Sequence, residues 1–417
     1  MARSIIILLV FTVCINEISS TRVRYDNYNI YQVLPSRLKH LDLLVQLEKS
    51  SGSLIFLTPI VAVDKHVNIL VAPHKKPEFL NILDDNEVFY ELVQENFQQI
   101  LEAEDTEFRS RSATYDWTGY HTLEETYEWL KSLEARFPDK VKTIVGGKTY
   151  EGRDILGVKV SFKAGNKAIF VEGGIHAREW ISPATVTYIL NEILTSNDDA
   201  FRSMVENFDW YVFPHVNPDG FVYTHTTNRL WRKTRSRGTE CYGADANRNW
   251  GFKWMEIGAS SDECSETYAG KEAFSEIETK TLAEFVTGIK DELLMYVAFH
   301  SYSQLLLFAY GYTPEPIENH DDHQQIAEAA VAALSKRYGT QYQVGSSYTT
   351  IYPTSGSSRD YAYGFLKIPL VYSYELRPAS SINGFVLPSA QIIPTCLETL
   401  DSLVAMISEA QKLGYLV

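Results

Sequence analysis

Cysteine is scarce in this chain, with four in 417 residues. Cys14 lies in an N-terminal leader, so three remain, enough for one bridge. In an oxidising compartment, Cys241 and Cys264, close in sequence, are the expected disulfide, and closing so short a loop contributes about 3 kcal/mol. Cys396 is left over. Its neighbours Ile392, Ile393, Leu397 and Leu400 form an apolar helix face, which suits a buried, inert thiol. Positive charge is also in short supply. Against 53 Asp and Glu stand 38 Lys and Arg, a net charge of −15. That argues against nucleic acid as a partner, although it leaves room for a locally cationic cleft. There is no N-x-S/T sequon, so no N-glycan is expected. There are no repeats and no low-complexity tracts. Beyond the leader, no stretch reads as long and apolar enough to cross a membrane. Nothing argues for self-association, so a monomer is expected.

The leader spans residues 1–20. Arg3 gives it a basic start, Ile5 to Val13 a compact apolar core, and Ser19-Ser20 small residues suited to cleavage. This is the pattern of a secretory signal peptide and implies an extracellular protein.

The remaining length allows two domains. Residues 21 to about 90 alternate short strands and helices. Strands are predicted at Tyr28–Leu34, Leu54–Thr58, Val67–Val71 and Val88–Val93, with helices at Ser36–Glu48 and Pro77–Leu83. A polar, acidic connector follows, carrying Glu102, Glu104, Asp105 and Glu107. It finishes in the exposed basic run Phe108-Arg109-Ser110-Arg111-Ser112, the kind of place where proteolytic nicking concentrates. From about Ala113 a larger unit begins. Thr122-Leu123-Glu124-Glu125 is a capping box that opens a helix. Strands at 141–145, 157–161, 168–171, 210–216, 294–300 and 370–375 then alternate with helices at 182–196, 275–289, 324–338 and 395–413. That rhythm predicts a mixed, mostly parallel α/β sheet flanked by helices on both faces.

The chemistry begins where a buried strand, Ala168–Val171, ends. The next residues are Gly173-Gly174-Ile175-His176-Ala177-Arg178-Glu179-Trp180. The Gly pair allows a sharp turn, and the C-terminal edge of an open α/β sheet is where ligands bind. His176 and Glu179, three apart, offer an imidazole and a carboxylate to a zinc ion, which needs one more protein ligand to keep a catalytic position open. The apolar run Leu294–Phe299 ends in His300 at the same kind of edge. Two His and one Glu make the donor set of zinc peptidases. Asp245 is a candidate to orient a ligand imidazole. Hydrolysis also needs a base. Glu375, closing the strand Leu370–Glu375, is either that base or a structural carboxylate paired with Arg377. Asn217-Pro218-Asp219-Gly220 has the composition of a tight turn, with Asp219 bonding the local backbone. It is given no catalytic role. Arg229, Arg232 and Arg235, with Arg248 shortly after, concentrate cations in an acidic chain. They form either a solvated loop or guanidiniums aimed at carboxylates and oxyanions.

Seven motifs, His-Ala-Arg-Glu-Trp at 176–180, Asn-Pro-Asp-Gly at 217–220, Asn-Arg-Leu-Trp-Arg at 228–232, Asp-Ala-Asn-Arg-Asn-Trp at 245–250, His-Ser-Tyr-Ser at 300–303, Ile-Tyr at 351–352 and Tyr-Glu-Leu-Arg at 374–377, run in one order. In that order the chain resembles the secreted zinc metallocarboxypeptidases of the pancreatic A/B type, from about residue 25 to its end. The resemblance implies zinc on His176, Glu179 and His300, Glu375 as general base, and Arg232 facing the oxyanion. It implies that Asn247, Arg248 and Tyr352 hold the substrate's terminal carboxylate. Arg178 and Arg229, with Ser301 and Tyr302 beside His300, line neighbouring substrate positions. Residues 21–111 resemble the family's inhibitory pro-domain, an antiparallel α/β sandwich. A trypsin-like protease would cut it from the catalytic domain 112–417 near Arg109 or Arg111. Cys241–Cys264 falls on the family's common disulfide. Peptides are the implied substrates, and an extracellular setting such as a digestive lumen is the implied location.

One residue departs from both family types. Where A-type enzymes have an apolar residue at the base of the specificity pocket and B-type enzymes an acidic one, this chain has Arg359. An unpaired guanidinium in a pocket costs several kcal/mol, so a partner is expected. A substrate carboxylate would serve, and this predicts preference for C-terminal Glu or Asp. Asp360 could serve instead, but adjacent residues seldom face each other on a helix, which makes it the weaker partner. The loop 378–383 reads as about one residue longer than the A-type pattern. A zinc deacylase of N-acyl amino acids and a catalytically silent binding protein are the competing readings.

Overall fold

The computed structural model describes residues 22–415, apart from 51, 59, 61, 113 and 380–383. The leader and most of the loop at 378–383 lie outside the described residues.

Four strands, β1 (Asn29–Leu34), β2 (Leu54–Phe56), β3 (Val67–Val71) and β4 (Phe89–Gln94), build the N-terminal module. They pair antiparallel in the order β2-β3-β1-β4. Helices Leu38–Ser50 and Lys76–Asp85 accompany them, and a third, Gln98–Ser110, leads out. Tyr25, Ile30, Leu57 and Leu70 of this module share an apolar cluster with Leu230, Tyr302 and Phe385. The module is therefore seated on the larger domain through a continuous apolar contact.

The larger domain holds eight strands: β5 (Val141–Lys148), β6 (Asp154–Val160), β7 (Ala168–Glu172), β8 (Asp209–Phe213), β9 (Leu293–Ser301), β10 (Leu305–Phe308), β11 (Gln343–Ser346) and β12 (Leu370–Leu376). Their order is β11-β10-β12-β9-β7-β8-β6-β5. The central strands β12, β9, β7 and β8 run parallel, and antiparallel pairs lie towards both edges. Successive residues of the central strands enter two different cores. Ile169, Val171, Trp210 and Val212 pack on one side with helices Ile181–Thr195, His320–Tyr338 and Ile392–Lys412. Phe170, Tyr211 and Phe213 pack on the other with helices Ile277–Ile289 and Ser358–Gly364. Burial on both faces explains why these strands read as unbroken apolar runs. The predicted capping box is present, with Thr122 and Glu125 bonding each other's backbone N–H.

Several expectations need correction. Asn-Pro-Asp-Gly at 217–220 is not a tight turn but the start of a helix, Pro218–Thr226, capped by the Asn217 side chain. Pro at the first helical position after an Asn cap is the signal that was available. Asp219 does not bond the local backbone. It accepts from the Thr149 hydroxyl at 2.7 Å, the Glu151 N–H at 2.7 Å and the Arg153 guanidinium at 2.7 Å. Strands β10 and β11 and the helix Asp199–Val205 add to the elements expected from the sequence. The run Ser389–Lys412 is, against expectation, long and apolar enough to cross a membrane. Its apolar residues Cys396, Leu403, Met406 and Ile407 instead fill the core of the larger domain. Cys396 is free and fully buried, and burial raises its thiol pKa far above the ordinary value. Cys241 and Cys264 are bonded.

Candidate active site

The site forms where β7, β9 and β12 end side by side. Gly173 and Gly174 carry the chain out of β7. Gly174 has φ +65°, and a Cβ there would stand 2.9 Å from the Pro214 carbonyl oxygen, so a side chain would be strained and crowded. The turn delivers His176 and Glu179. In the parallel pairing of β9 with β12, His300 lies directly opposite Glu375.

His176 Nδ1 lies 2.8 Å from Glu179 Oε1 and 3.2 Å from His300 Nδ1. His300 Nδ1 is 3.4 Å from Glu179 Oε2. The three ligand atoms lie within 4.8 Å of one another, and all three residues are buried. Two imidazole nitrogens and a carboxylate facing one point fit a zinc ion. The other ring nitrogen of His176 meets Asp245 Oδ1 at 3.1 Å, as a metal-bound imidazole requires. Burial alone would raise the Glu179 carboxyl; His176 and His300 overcome that and hold it far below its usual range. Asp245 behaves likewise, with Arg232, Arg248 and His176 outweighing burial. Arg232 donates to Asp245 Oδ2 through Nε at 3.1 Å and Nη2 at 2.7 Å, and its Nη1 stands 3.9 Å from Glu179.

Glu375 is the contrasting carboxyl. The alternative partner, Arg377, is engaged elsewhere, bonding Glu398, Gln391 and Thr340. Among the described residues, no hydrogen bond or ion pair holds the Glu375 side chain. Burial first, then the charge of Glu179, push its pKa up to about 8 in the metal-free protein.

A cavity of about 600 Å³ opens above these groups. His176, Glu179, Arg178, Arg232, Arg248 and Glu375 line it, together with Ser301, Tyr302 and Tyr352. Its roof comes from the N-terminal module, including Glu48, Phe56, Lys65 and His66. Asn247, Arg229 and Arg359 are not among its lining residues. Asn247 Oδ1 accepts from the Ser358 N–H at 3.0 Å. Arg229 is clamped by Glu104 of the helix Gln98–Ser110, with bonds of 2.7 and 2.9 Å, and lies over the Trp180 ring. Arg178 is held by Glu266 at 2.9 Å. Arg359 is buried, and its Nε meets Asp360 Oδ1 at 3.2 Å. The adjacent acid is thus its partner after all, because both residues sit in the first turn of the helix Ser358–Gly364, where the Asp360 carboxylate turns back to accept from the Gly311 N–H as well. Nor is the basic run at 109–111 uniformly exposed. Arg109 is open to solvent, but Arg111 is gripped by Glu125 and stacks on Phe108. In sequence Glu104 reads only as a member of an acidic connector and Glu125 only as part of a capping box, and nothing local marks either as the partner of an arginine.

Three buried metal donors, an unpaired carboxyl and an arginine around a cavity define a mononuclear metallohydrolase centre. The sequence profile of the zinc carboxypeptidases matches residues 126–402, and that of the carboxypeptidase activation peptide matches residues 31–104. The chain is 49% identical over 411 residues to zinc carboxypeptidase A 1 of Drosophila melanogaster, covering 96% of this chain and 95% of the relative. It is 43% identical over 303 residues to human carboxypeptidase O, covering 71% and 80%. The crystal structure of carboxypeptidase A from Helicoverpa armigera superposes with a TM-score of 0.85 at 27% identity, covering 94% of this chain and 99% of that one. The chain belongs to the zinc carboxypeptidase family. It is a zinc-dependent metallocarboxypeptidase, made as a zymogen with an activation peptide.

Proposed function

We propose that the protein is secreted, that residues 1–20 are its signal peptide, and that residues 21–111 cover the cleft of the catalytic domain 112–417 until a trypsin-like protease cuts after Arg109 or Arg111. The active enzyme then removes single C-terminal residues from peptides, with preference for Glu and Asp.

His176, Glu179 and His300 would hold the zinc. Bound there, zinc supplies Lewis acidity, which polarises the scissile carbonyl and eases loss of a proton from water. Glu375 takes that proton on its carboxylate and passes it to the departing amine nitrogen; its lack of a structural partner leaves it free to do so. Arg232 faces the carbonyl oxygen as negative charge builds there, and Asp245 keeps both Arg232 and His176 in place. Asn247 has its amide oxygen occupied by Ser358, so its NH₂ group is left to donate to the substrate's terminal carboxylate, beside Arg248 and Tyr352. Arg178, Ser301 and Tyr302 border the peptide.

The observation that carries the acidic preference is Arg359. Only its Nε is engaged by Asp360, and a Cβ at Gly311 would stand 2.8 Å from its Nη2. Glycine at 311 thus lets the backbone approach the guanidinium closely, and the Nη groups carry N–H donors that Asp360 does not take. The likeness to the Drosophila enzyme named carboxypeptidase A 1 favours a second reading, a broad or apolar preference. Trypsin-treated protein, assayed on peptides ending in Glu, Phe and Lys with and without a chelator, separates them. Chelator-sensitive release of Glu faster than Phe or Lys is expected, and faster release of Phe or Lys would sink the acidic preference. Release of the acid from N-acyl amino acids without release from peptides would point to a deacylase instead.

A further inference from the structure

Glu172 closes β7, four residues before His176, and only 1% of its surface is exposed. One carboxyl oxygen, Oε1, accepts the Ser358 hydroxyl at 2.8 Å. The other, Oε2, has no hydrogen-bond partner, and the buried hydroxyl of Tyr296, on β9, lies close enough to interact with the carboxyl group. Burial raises the Glu172 pKa.

Ser358 shows what the carboxyl holds. It is the first residue of the helix Ser358–Gly364, and the next residue is Arg359. Through its backbone N–H, Ser358 also bonds Asn247 at 3.0 Å. Glu172 thus ties the strand that delivers the zinc-binding turn to the helix that carries the base of the specificity pocket.

We propose that Glu172, acting through the Ser358 hydroxyl, is a positioning residue for the specificity pocket: it fixes where Arg359 stands relative to the reacting bond. This rests on the reading of Arg359 as the base of that pocket. Glu172 does not touch substrate, so its effect belongs in discrimination between terminal residues and not in the chemical step.

The test uses the activated, zinc-loaded enzyme and two peptides that differ only in ending in Glu or Ala. S358A keeps the backbone N–H that bonds Asn247, so the terminal-carboxylate contacts survive while the strut is lost. Losing this buried hydrogen bond leaves its other partner stranded, so S358A and E172A should each raise KM for the Glu peptide about tenfold relative to the Ala peptide. kcat and zinc content should hold. The double variant should be no worse than the poorer single one, because both cut the same link. E172Q keeps an acceptor and should restore discrimination. Equal losses on both peptides, or zinc loss with discrimination intact, would overturn the proposal. So would an E172Q as damaging as E172A. If E172A does not fold, S358A alone decides. If wild-type enzyme prefers Phe or Lys, the acidic reading has failed, and the same ratio measured with that residue against Ala still tests the strut.

Discussion

Glu104 and Arg229 form a buried, two-pronged ion pair, with Oε2 to Nε at 2.7 Å and Oε1 to Nη2 at 2.9 Å. The carboxylate comes from the last residue matched by the activation-peptide profile, in the helix Gln98–Ser110, and the guanidinium from the larger domain. Both side chains are at most 5% exposed. Removing one partner of such a pair strands the other charge and costs about 3–5 kcal/mol. Glu104→Ala should therefore lower the thermal midpoint of the precursor and raise its peptidase activity before cleavage. After cleavage and removal of the pro-segment, variant and wild type should have identical melting curves and kinetics. Equal midpoints for the two precursors would show that the pair does not hold the segment down.

The two activation candidates differ in accessibility. Arg109 is exposed in the last turn of its helix, whereas Arg111 donates to both Glu125 oxygens and to the Phe108 carbonyl oxygen, and its guanidinium lies 3.8 Å from the centre of the Phe108 ring. A trypsin-like protease must take the arginine side chain into its own pocket. The first cut should follow Arg109. Arg109→Gln should slow activation at least tenfold, and Arg111→Gln should slow it little, as read by the rate of appearance of activity and the N-terminal sequence of the product. A product beginning at Ser112 from wild type at the earliest times would contradict this.

How much of this was legible in the sequence depended on whether the signal was local. The central strands were readable because burial on both faces leaves unbroken apolar runs, and the helix at 123 was readable because Thr122 and Glu125 cap it within four residues. His176, Glu179 and His300 were recognisable as donors by type and by their place at strand ends. Asn217 before Pro218 was a local cap signal that tight-turn composition outweighed. The partnerships of Glu104, Glu125 and Glu172 were not readable. Two of them join residues far apart in the chain, 125 positions for Glu104 and Arg229 and 186 for Glu172 and Ser358, and an acidic residue carries no mark of which cation or hydroxyl it will meet. Arg359 shows the same limit at short range. Its pairing with Asp360 depends on the first-turn geometry of the helix and on the Gly311 N–H that holds the carboxylate.

Glu375 gives the metal-free protein a definite pH response. Its folded pKa, about 8, stands above the ordinary 4.5, because burial and the Glu179 charge disfavour its ionised form. A raised pKa of this kind contributes stability that is fully present below about pH 4.5 and is lost as pH rises through the folded value. The chelator-treated protein should therefore melt several degrees lower at pH 8.5 than at pH 5.5. Zinc, a positive charge beside Glu375, favours the carboxylate and should flatten the slope. Glu375→Gln removes the titration, so the apo variant should lose less stability than apo wild type across the same window. It should also lose activity on the order of 10²–10⁴-fold with zinc still bound. Identical slopes for the two apo proteins would rule out Glu375 as the source.

Asp245 links the metal donors to the arginines. One oxygen meets His176 Nε2 at 3.1 Å and the Asn247 N–H at 2.9 Å; the other meets Arg232 at 2.7 Å and lies 3.8 Å from Arg248. A single carboxylate therefore sets the ring orientation of one zinc ligand, places one negative charge between two guanidiniums and fixes the turn that presents Asn247. Asn at this position keeps the shape but loses the charge. The His176 ring then loses an anionic acceptor, which weakens it as a ligand, and Arg232 and Arg248 are left facing each other with no anion between them. Asp245→Asn should weaken zinc binding by about 10–100-fold, measured by competition with a chromophoric chelator. At saturating zinc, KM should still be raised, because Asn247 and Arg248 are no longer held. Arg232→Ala, which leaves the carboxylate in place, should keep zinc affinity within a few-fold of wild type while lowering kcat. If Arg232→Ala lost zinc as readily as Asp245→Asn, the metal's dependence would lie in the charge balance of the whole cluster and not in the His176–Asp245 contact.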